Sequence, residues 1–105
     1  MVSEDSPEYA EAFEWDDDAV EQGNTTHIAR RNIHPNEVEE VYANGAPIYM
    51  NKASGTGEWM MIGTTDGDRA LTIVMNYDSV RRCIRAFTGW PSTPSEIARR
   101  DRSSQ

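Results

Sequence analysis

The sequence predicts an α+β domain in which N-terminal helices pack on a three- to four-stranded antiparallel sheet and a short C-terminal helix follows. Residues 58–90 contain three alternating apolar runs joined by turn signals. Helical patterns precede these runs, and a basic segment that starts with a proline follows them. With 105 residues, the chain has room for one domain with short tails.

The acidic residues are concentrated at the N-terminus. Residues 1–21 contain nine of the 18 acidic side chains and none of the ten basic ones, so the rest of the chain is nearly neutral. Residues 1–12 are also poor in aliphatic side chains, which is typical of a mobile tail, and we expect the domain to span residues 13–101. A second hypothesis is that these acids fold back over an arginine patch and mask it.

Two helices are expected before the sheet. The first pattern runs over residues 17–31 but contains Gly23 and Asn24, so we predict a break or a new cap at Asn24. The second helix begins at Pro35, which suits a first helical position, and Val38 and Val41 lie on its buried face.

Shorter apolar patterns surround these helices. Phe13 and Trp15 alternate as in a short first strand, and residues 46–51 predict another strand with Met50 directed inward. Residues 52–57 are glycine and small polar residues, which predict a loop.

The central prediction is a three-stranded antiparallel meander. Residues 69–77 alternate with a period of two, and Asp66-Gly67 before them suits a type I′ turn. The third strand places Arg81 and Arg85 on one face and Arg82 on the other. These arginines either pack their stems and solvate their heads or bind an anion.

One histidine lies in a basic context. His27, Arg30 and Arg31 can share a helical face, where the histidine can act as a general base beside an arginine that holds phosphate. The alternative is a surface histidine near a helix C-terminus. Trp59 and Trp90 are either interface anchors or core side chains.

Several classes of protein and site are not indicated. No His, Cys or Asp cluster has metal-ligand spacing, so we expect no metal and no cofactor. Cys83 is the single cysteine and cannot form an internal disulfide. With no secretory pattern and no long apolar run, the sequence predicts a cytoplasmic protein with no membrane partner.

The order of several motifs resembles the BrnT-type toxin family. The resemblance spans roughly residues 13–100 and rests on FEWD at 13–16, HIARRNI at 27–33, PNEVEEVY at 35–42, EWMMIG at 58–63, LTIVMNY at 71–77 and IRAFTGW at 84–90. It implies a fold similar to the RelE-type ribonuclease toxins. It also implies a type II toxin that cleaves RNA without a metal, with RNA and a cognate antitoxin protein as partners.

The resemblance also implies a set of site residues. The family's lysine, its histidine and the first arginine of its last strand fall on Arg30, Arg31 and Arg85. Arginine is a poor general base, so His27 is the candidate for proton transfer one helical turn away. The candidate catalytic residues are His27, Arg30 and Arg85, and the candidate RNA-binding residues are Arg31, Arg81 and Arg82.

Three positions depart from the family pattern. Arg31 replaces the histidine, and Glu58 and Trp90 replace two arginines. The alternative function is therefore a non-catalytic scaffold of the same type that binds a protein partner through Trp59 and Trp90.

Overall fold

The computed structural model describes residues 6–50 and 58–103. These residues form a 3-10 turn (Pro7–Tyr9), strand β1 (Ala12–Phe13), helices α1 (Asn24–Ala29) and α2 (Pro35–Ala43), strands β2 (Ile48–Met50), β3 (Trp59–Thr64), β4 (Ala70–Asp78) and β5 (Cys83–Pro91), and helix α3 (Pro94–Ser103). The predicted α+β class is confirmed. The loop predicted over residues 52–57 lies outside the described residues.

The five strands form one mixed sheet in the order β1-β5-β4-β3-β2. Strands β2 to β5 pair antiparallel, whereas β1 runs parallel to β5 with Ala12 opposite Cys83. The prediction of a purely antiparallel sheet preceded by helices is therefore wrong. The reason is that β1 comes before the helices and its backbone satisfies the otherwise open edge of β5.

The meander of β3, β4 and β5 is confirmed, but its first turn differs from the predicted type. Thr64 pairs with Ala70, so five residues join β3 to β4 rather than two. The positive φ angle, 67°, falls on Asp68 and not on Asp66 or Gly67. The type I′ prediction is wrong because the loop has five residues and its left-handed residue is the fourth.

Strand β5 contains a bulge. Val74 pairs with Thr88 and Met75 pairs with Ala86, which leaves Phe87 as an extra residue. The strand begins at Cys83, so Arg81 and Arg82 lie in the preceding turn, where Arg82 has a φ of 50°. Their predicted assignment to opposite faces of a strand is therefore wrong.

The core lies between one face of the sheet and the first two helices. Side chains from both helices and from β3, β4 and β5 are fully buried there, and they include Ile28, Val38, Val41, Met61, Leu71, Ile73, Met75 and Ile84. The predicted buried face of α2 is confirmed, and Glu37 accepts a hydrogen bond from the His34 backbone N–H at 3.1 Å before Pro35.

The first helix is shorter than predicted. It begins at Asn24 with Gly23 as its N-cap, so the helical prediction for residues 17–23 is wrong. The cause is local side-chain bonding: Asp17 Oδ1 accepts from the Ala19 N–H, and the Thr26 hydroxyl donates to the Val20 carbonyl oxygen.

Met50 and the N-terminal segment also differ from expectation. Met50 is 57% exposed, so its predicted inward direction is wrong; it lies on the edge strand. Pro7 is buried, and the Tyr42 hydroxyl lies 2.8 Å from its carbonyl oxygen. Part of the segment predicted as a mobile tail, residues 6–12, is therefore packed on the domain.

Among residues 6–50 and 58–103, no helix has the length and apolar character needed to cross a membrane.

Candidate functional site

Three arginines line the start of β5 and face acidic side chains of the N-terminal segment. We call Arg81, Arg82 and Arg85 the arginine row. Arg82 Nη1 lies 3.2 Å from Glu11 Oε1, and Arg81 Nη2 lies 2.8 Å from Glu14 Oε2. The parallel pairing of β1 with β5 is what brings these acids to the row, since it aligns Ala12 with Cys83.

Arg85 has two carboxylate partners. Its Nη1 lies 3.4 Å from a Glu14 oxygen and 3.1 Å from Asp16 Oδ1, and its Nη2 bonds to Asp16 Oδ2. The contact with Asp16 is thus bidentate, the geometry in which a guanidinium binds a carboxylate most strongly. Asp16 therefore fixes the plane of the Arg85 guanidinium.

Asp16 is itself held by the start of α1. The Asn24 backbone N–H donates to Asp16 Oδ2 at 2.9 Å, and Asn24 Oδ1 accepts from the Asp16 N–H at 2.8 Å. A Cβ at Gly23 would lie 2.7 Å from Asp16 Cβ, so glycine is needed for this close approach. Asn24 Nδ2 also donates to the Ala86 carbonyl oxygen at 2.8 Å, which ties α1 to β5.

These contacts set the protonation of both acids. Hydrogen bonding and the positive charge of Arg81 lower the pKa of Glu14 below its ordinary value of 4.5. The hydrogen bond from Arg85 and the backbone bond from Asn24 lower the pKa of Asp16 below 3.8. Both side chains are consequently carboxylates at neutral pH, and the row is neutralised by the protein's own acids.

A small cavity lies beside the row. It has a volume of about 210 Å³ and is lined by Glu14, Asn76, Tyr77, Asp78, Arg81, Cys83 and Arg85. Asn76 and Arg85 are directly opposite each other on β4 and β5, so their side chains share one face of the sheet. The cavity therefore combines two guanidinium groups with an amide that can donate or accept.

The other predicted site residues lie on or just after α1. His27, Arg30 and Arg31 are all exposed, and Arg30 Nη2 donates to the Glu21 carbonyl oxygen at 3.1 Å. Among the described residues, no hydrogen bond or ion pair joins His27 to Arg30 or Arg85. The structure brings Arg81, Arg82 and Arg85 together. In the part of the chain that the structure describes, no hydrogen bond joins these three to the predicted site residues on or after α1.

The two candidate partner-binding tryptophans occupy different environments. Trp59 is half-buried and packs against the core cluster. Trp90 Nε1 lies 3.0 Å from Glu96 Oε1, which also accepts from the Thr72 hydroxyl at 3.0 Å and the Thr93 N–H at 2.8 Å. Trp90 thus helps to anchor α3 on the sheet.

Glu96 is a half-buried carboxylate in the first turn of α3. Burial acts to raise its pKa, but hydrogen bonds from Thr93, Trp90 and Thr72 outweigh that effect and lower it below 4.5. Glu96 is therefore ionised while it holds the start of α3.

Sequence reasoning missed the roles of Glu14, Asp16 and Asn24. The available signal is the alternation in FEWD, which puts Glu14 on the other face of the strand from Phe13. The sequence does not show which strand pairs with this segment. In residues 6–50 and 58–103, no group of three or more His, Cys, Asp or Glu side chains is arranged to hold a metal ion. No protein-family model, curated protein or solved structure matches the chain.

Proposed function

We propose that the chain is the toxin component of a type II toxin–antitoxin system of BrnT type, acting as an endoribonuclease without a metal. The order of the motifs supports this family, because the FEWD segment, two helices, the meander and a basic last helix occur in the family's order. The observation that carries the proposal is the backbone of Asn32, which has a φ of 61°. In the family a glycine follows the lysine and histidine that match Arg30 and Arg31, and Asn32 stands at its position. Glycine and asparagine are the residues that best tolerate this conformation.

The proposed chemistry uses basic side chains on two elements. Phosphate would contact the exposed guanidinium of Arg31 after α1 and the arginine row at β5. His27 is exposed on α1 and is the proposed acceptor of the proton from the RNA 2′-hydroxyl. The 2′-oxygen would attack the adjacent phosphorus, the bond from phosphorus to the 5′-oxygen would break to leave a 2′,3′-cyclic phosphate, and the leaving 5′-oxygen would take a proton from water. Arg30 and Arg85 would donate hydrogen bonds to the phosphate and stabilise the negative charge that develops on it.

A second function is favoured by the pairing of the arginine row. Because Arg81, Arg82 and Arg85 all contact acids of the same chain, their charge stabilises the attachment of β1 to the sheet. A protein with this arrangement can serve as a non-catalytic scaffold of the same type that binds a partner protein. Trp59, which is half-buried, is the proposed contact for such a partner.

The deciding experiment is induced expression of the chain in a bacterial culture, with growth and total RNA followed over time. The ribonuclease proposal predicts growth arrest and cleaved RNA. His27→Gln and Arg31→Ala should abolish both effects, because each removes an exposed side chain with an assigned role. Arg102→Ala is the matched control, since it removes an exposed arginine on α3 that has no role in the proposal.

The two functions give different outcomes. Normal growth and intact RNA, with folded protein confirmed by circular dichroism, would overturn the ribonuclease proposal. The scaffold proposal would then be tested by co-expressing the product of the adjacent reading frame and measuring co-purification. A substitution of Trp59 by Ala should weaken that association, and no association with the wild type would refute it.

A further inference from the structure

Glu14 bridges two arginines with its two carboxylate oxygens. Oε2 lies 2.8 Å from Arg81 Nη2, and Oε1 lies 3.4 Å from Arg85 Nη1. A phosphate group presents two non-bridging oxygens to a pair of guanidinium groups in the same manner. The Glu14 carboxylate thus occupies the place that such an anion would take.

Glu14 and Asp16 are attached to Arg85 in different ways. Asp16 makes the bidentate contact and is held in turn by Asn24 and by the close approach of Gly23. The Glu14 contact with Arg85 is longer, and its side chain is 38% exposed. Displacing the Glu14 side chain therefore leaves the Arg85 guanidinium in position.

The backbone of Glu14 does not depend on its side chain. Its N–H donates to the Ile84 carbonyl oxygen at 2.8 Å, and its carbonyl oxygen accepts from Asn24 Nδ2 at 2.9 Å. A rotation of the side chain toward solvent leaves both bonds intact and frees the Arg81 and Arg85 contacts beside the cavity of about 210 Å³, which Asn76 also lines.

We propose that Arg81, Arg85 and Asn76 form a binding site for a phosphate group of an RNA backbone, and that Glu14 occupies this site until the phosphate displaces it. Asp78 also borders the cavity, but its Oδ1 accepts from the Val80 and Arg81 backbone N–H groups. Asp16 stays paired with Arg85, so turning Glu14 away exposes Arg81 Nη2 and the Glu14 contact of Arg85 Nη1 to an incoming anion. The choice of RNA as the source of the phosphate rests on the proposed function; the anion site itself does not.

The test is a direct binding measurement that requires no cleavage. Fluorescence anisotropy of a labelled single-stranded RNA decamer is measured with the full chain at low salt, with inorganic phosphate as a competitor. Glu14→Gln should bind the decamer about threefold to fivefold more tightly than the wild type, because a competing surface ion pair is removed. Adding Arg81→Ala to Glu14→Gln should abolish this gain.

The matched control is Asp18→Asn, which changes the net charge equally in an exposed position of the same segment. Equal gains from Glu14→Gln and Asp18→Asn would overturn the proposal, since the effect would then follow net charge alone. Binding of an acidic peptide without binding of RNA or phosphate would overturn it as well. Tight RNA binding with no RNA cleavage in the culture would support this site and refute the ribonuclease function, so the two failures are distinguishable.

Discussion

Replacing Asn24 by alanine tests whether the junction of β1, α1 and β5 is held by buried hydrogen bonds. The Asn24 side chain is 4% exposed and makes three bonds, to the Glu14 and Ala86 carbonyl oxygens and to the Asp16 N–H, at 2.8 to 2.9 Å. At about 1 kcal/mol for each bond, the loss is about 3 kcal/mol. Because alanine has a better helix propensity than asparagine, the substitution also adds about 0.6 kcal/mol to the free energy of unfolding, which leaves a net destabilisation of about 2.4 kcal/mol.

Urea unfolding followed by tryptophan fluorescence measures this loss. With a slope of about 1.5 kcal/mol/M, the midpoint should fall by about 1.6 M. Asn36→Ala is the control, because Asn36 is exposed and its one side-chain bond, to Glu40, is long at 3.4 Å. If Asn24→Ala shifts the midpoint no further than Asn36→Ala, the assignment of the junction's stability to these bonds is wrong.

Two further predictions concern the sheet and the last helix. Because the pKa of Glu96 is lowered from 4.5 in the folded protein, its contribution to stability is complete above the unfolded pKa and is lost as the pH falls through the folded value. The Tm measured by circular dichroism should therefore drop below about pH 4.5, and the drop should be shallower in Glu96→Gln; identical profiles would contradict this. Gly63→Ala should cost about 2 kcal/mol in chemical unfolding, because the new Cβ would lie 2.9 Å from Val41 Cγ1. Gly67→Ala, whose Cβ would meet only Thr65 Oγ1 at 3.8 Å, is the control, and equal stability of the two variants would refute the packing argument.

Local patterns were sufficient to predict the elements whose signal lies within a few residues. The alternation in β4 predicted a strand, and Pro35 with the Val38 and Val41 spacing predicted α2. In α2 the buried face follows the periodicity, which is readable in the sequence alone. In β4 both faces are buried over residues 71–75, so the alternation predicts the strand but not its burial. The class of the fold follows from these elements.

The arrangement of the site was not readable in the same way. Glu14 and Arg85 are 71 residues apart, and Asp16 and Arg85 are 69 apart. The strand that joins them, β1, has two residues, so its pattern contains no information about its partner or its direction. The fold-back hypothesis concerns the acids of residues 1–12, of which Glu11 contacts Arg82, and it does not include Glu14 or Asp16. Which acid meets which arginine depends on the register of β1 and β5.

The predicted break at Asn24 is confirmed, whereas the helical prediction for the residues before it is wrong for a different reason. Residues 17–22 carry helix-compatible residues, yet Asp17 and Thr26 bond to nearby backbone groups and compete with helical hydrogen bonds. Gly23 then provides the close approach to Asp16 that an ordinary helical residue would prevent. Gly23 is thus both the N-cap of α1 and the residue whose close approach holds Asp16 beside Arg85.

The extra residue at Phe87 changes which later positions of β5 share a side of the sheet. Strict alternation would put Trp90 on the opposite side of the sheet from Arg85, but the bulge returns Thr88 and Trp90 to the side of Arg85 and leaves Gly89 against Ile73. Deleting Phe87 would remove the bulge and leave Thr88 and Trp90 opposite Val74 and Thr72, so Trp90 would stay on the side where it meets Glu96. The bulge therefore lets β5 carry one residue more than β4 over the same pairs without moving Trp90 away from α3.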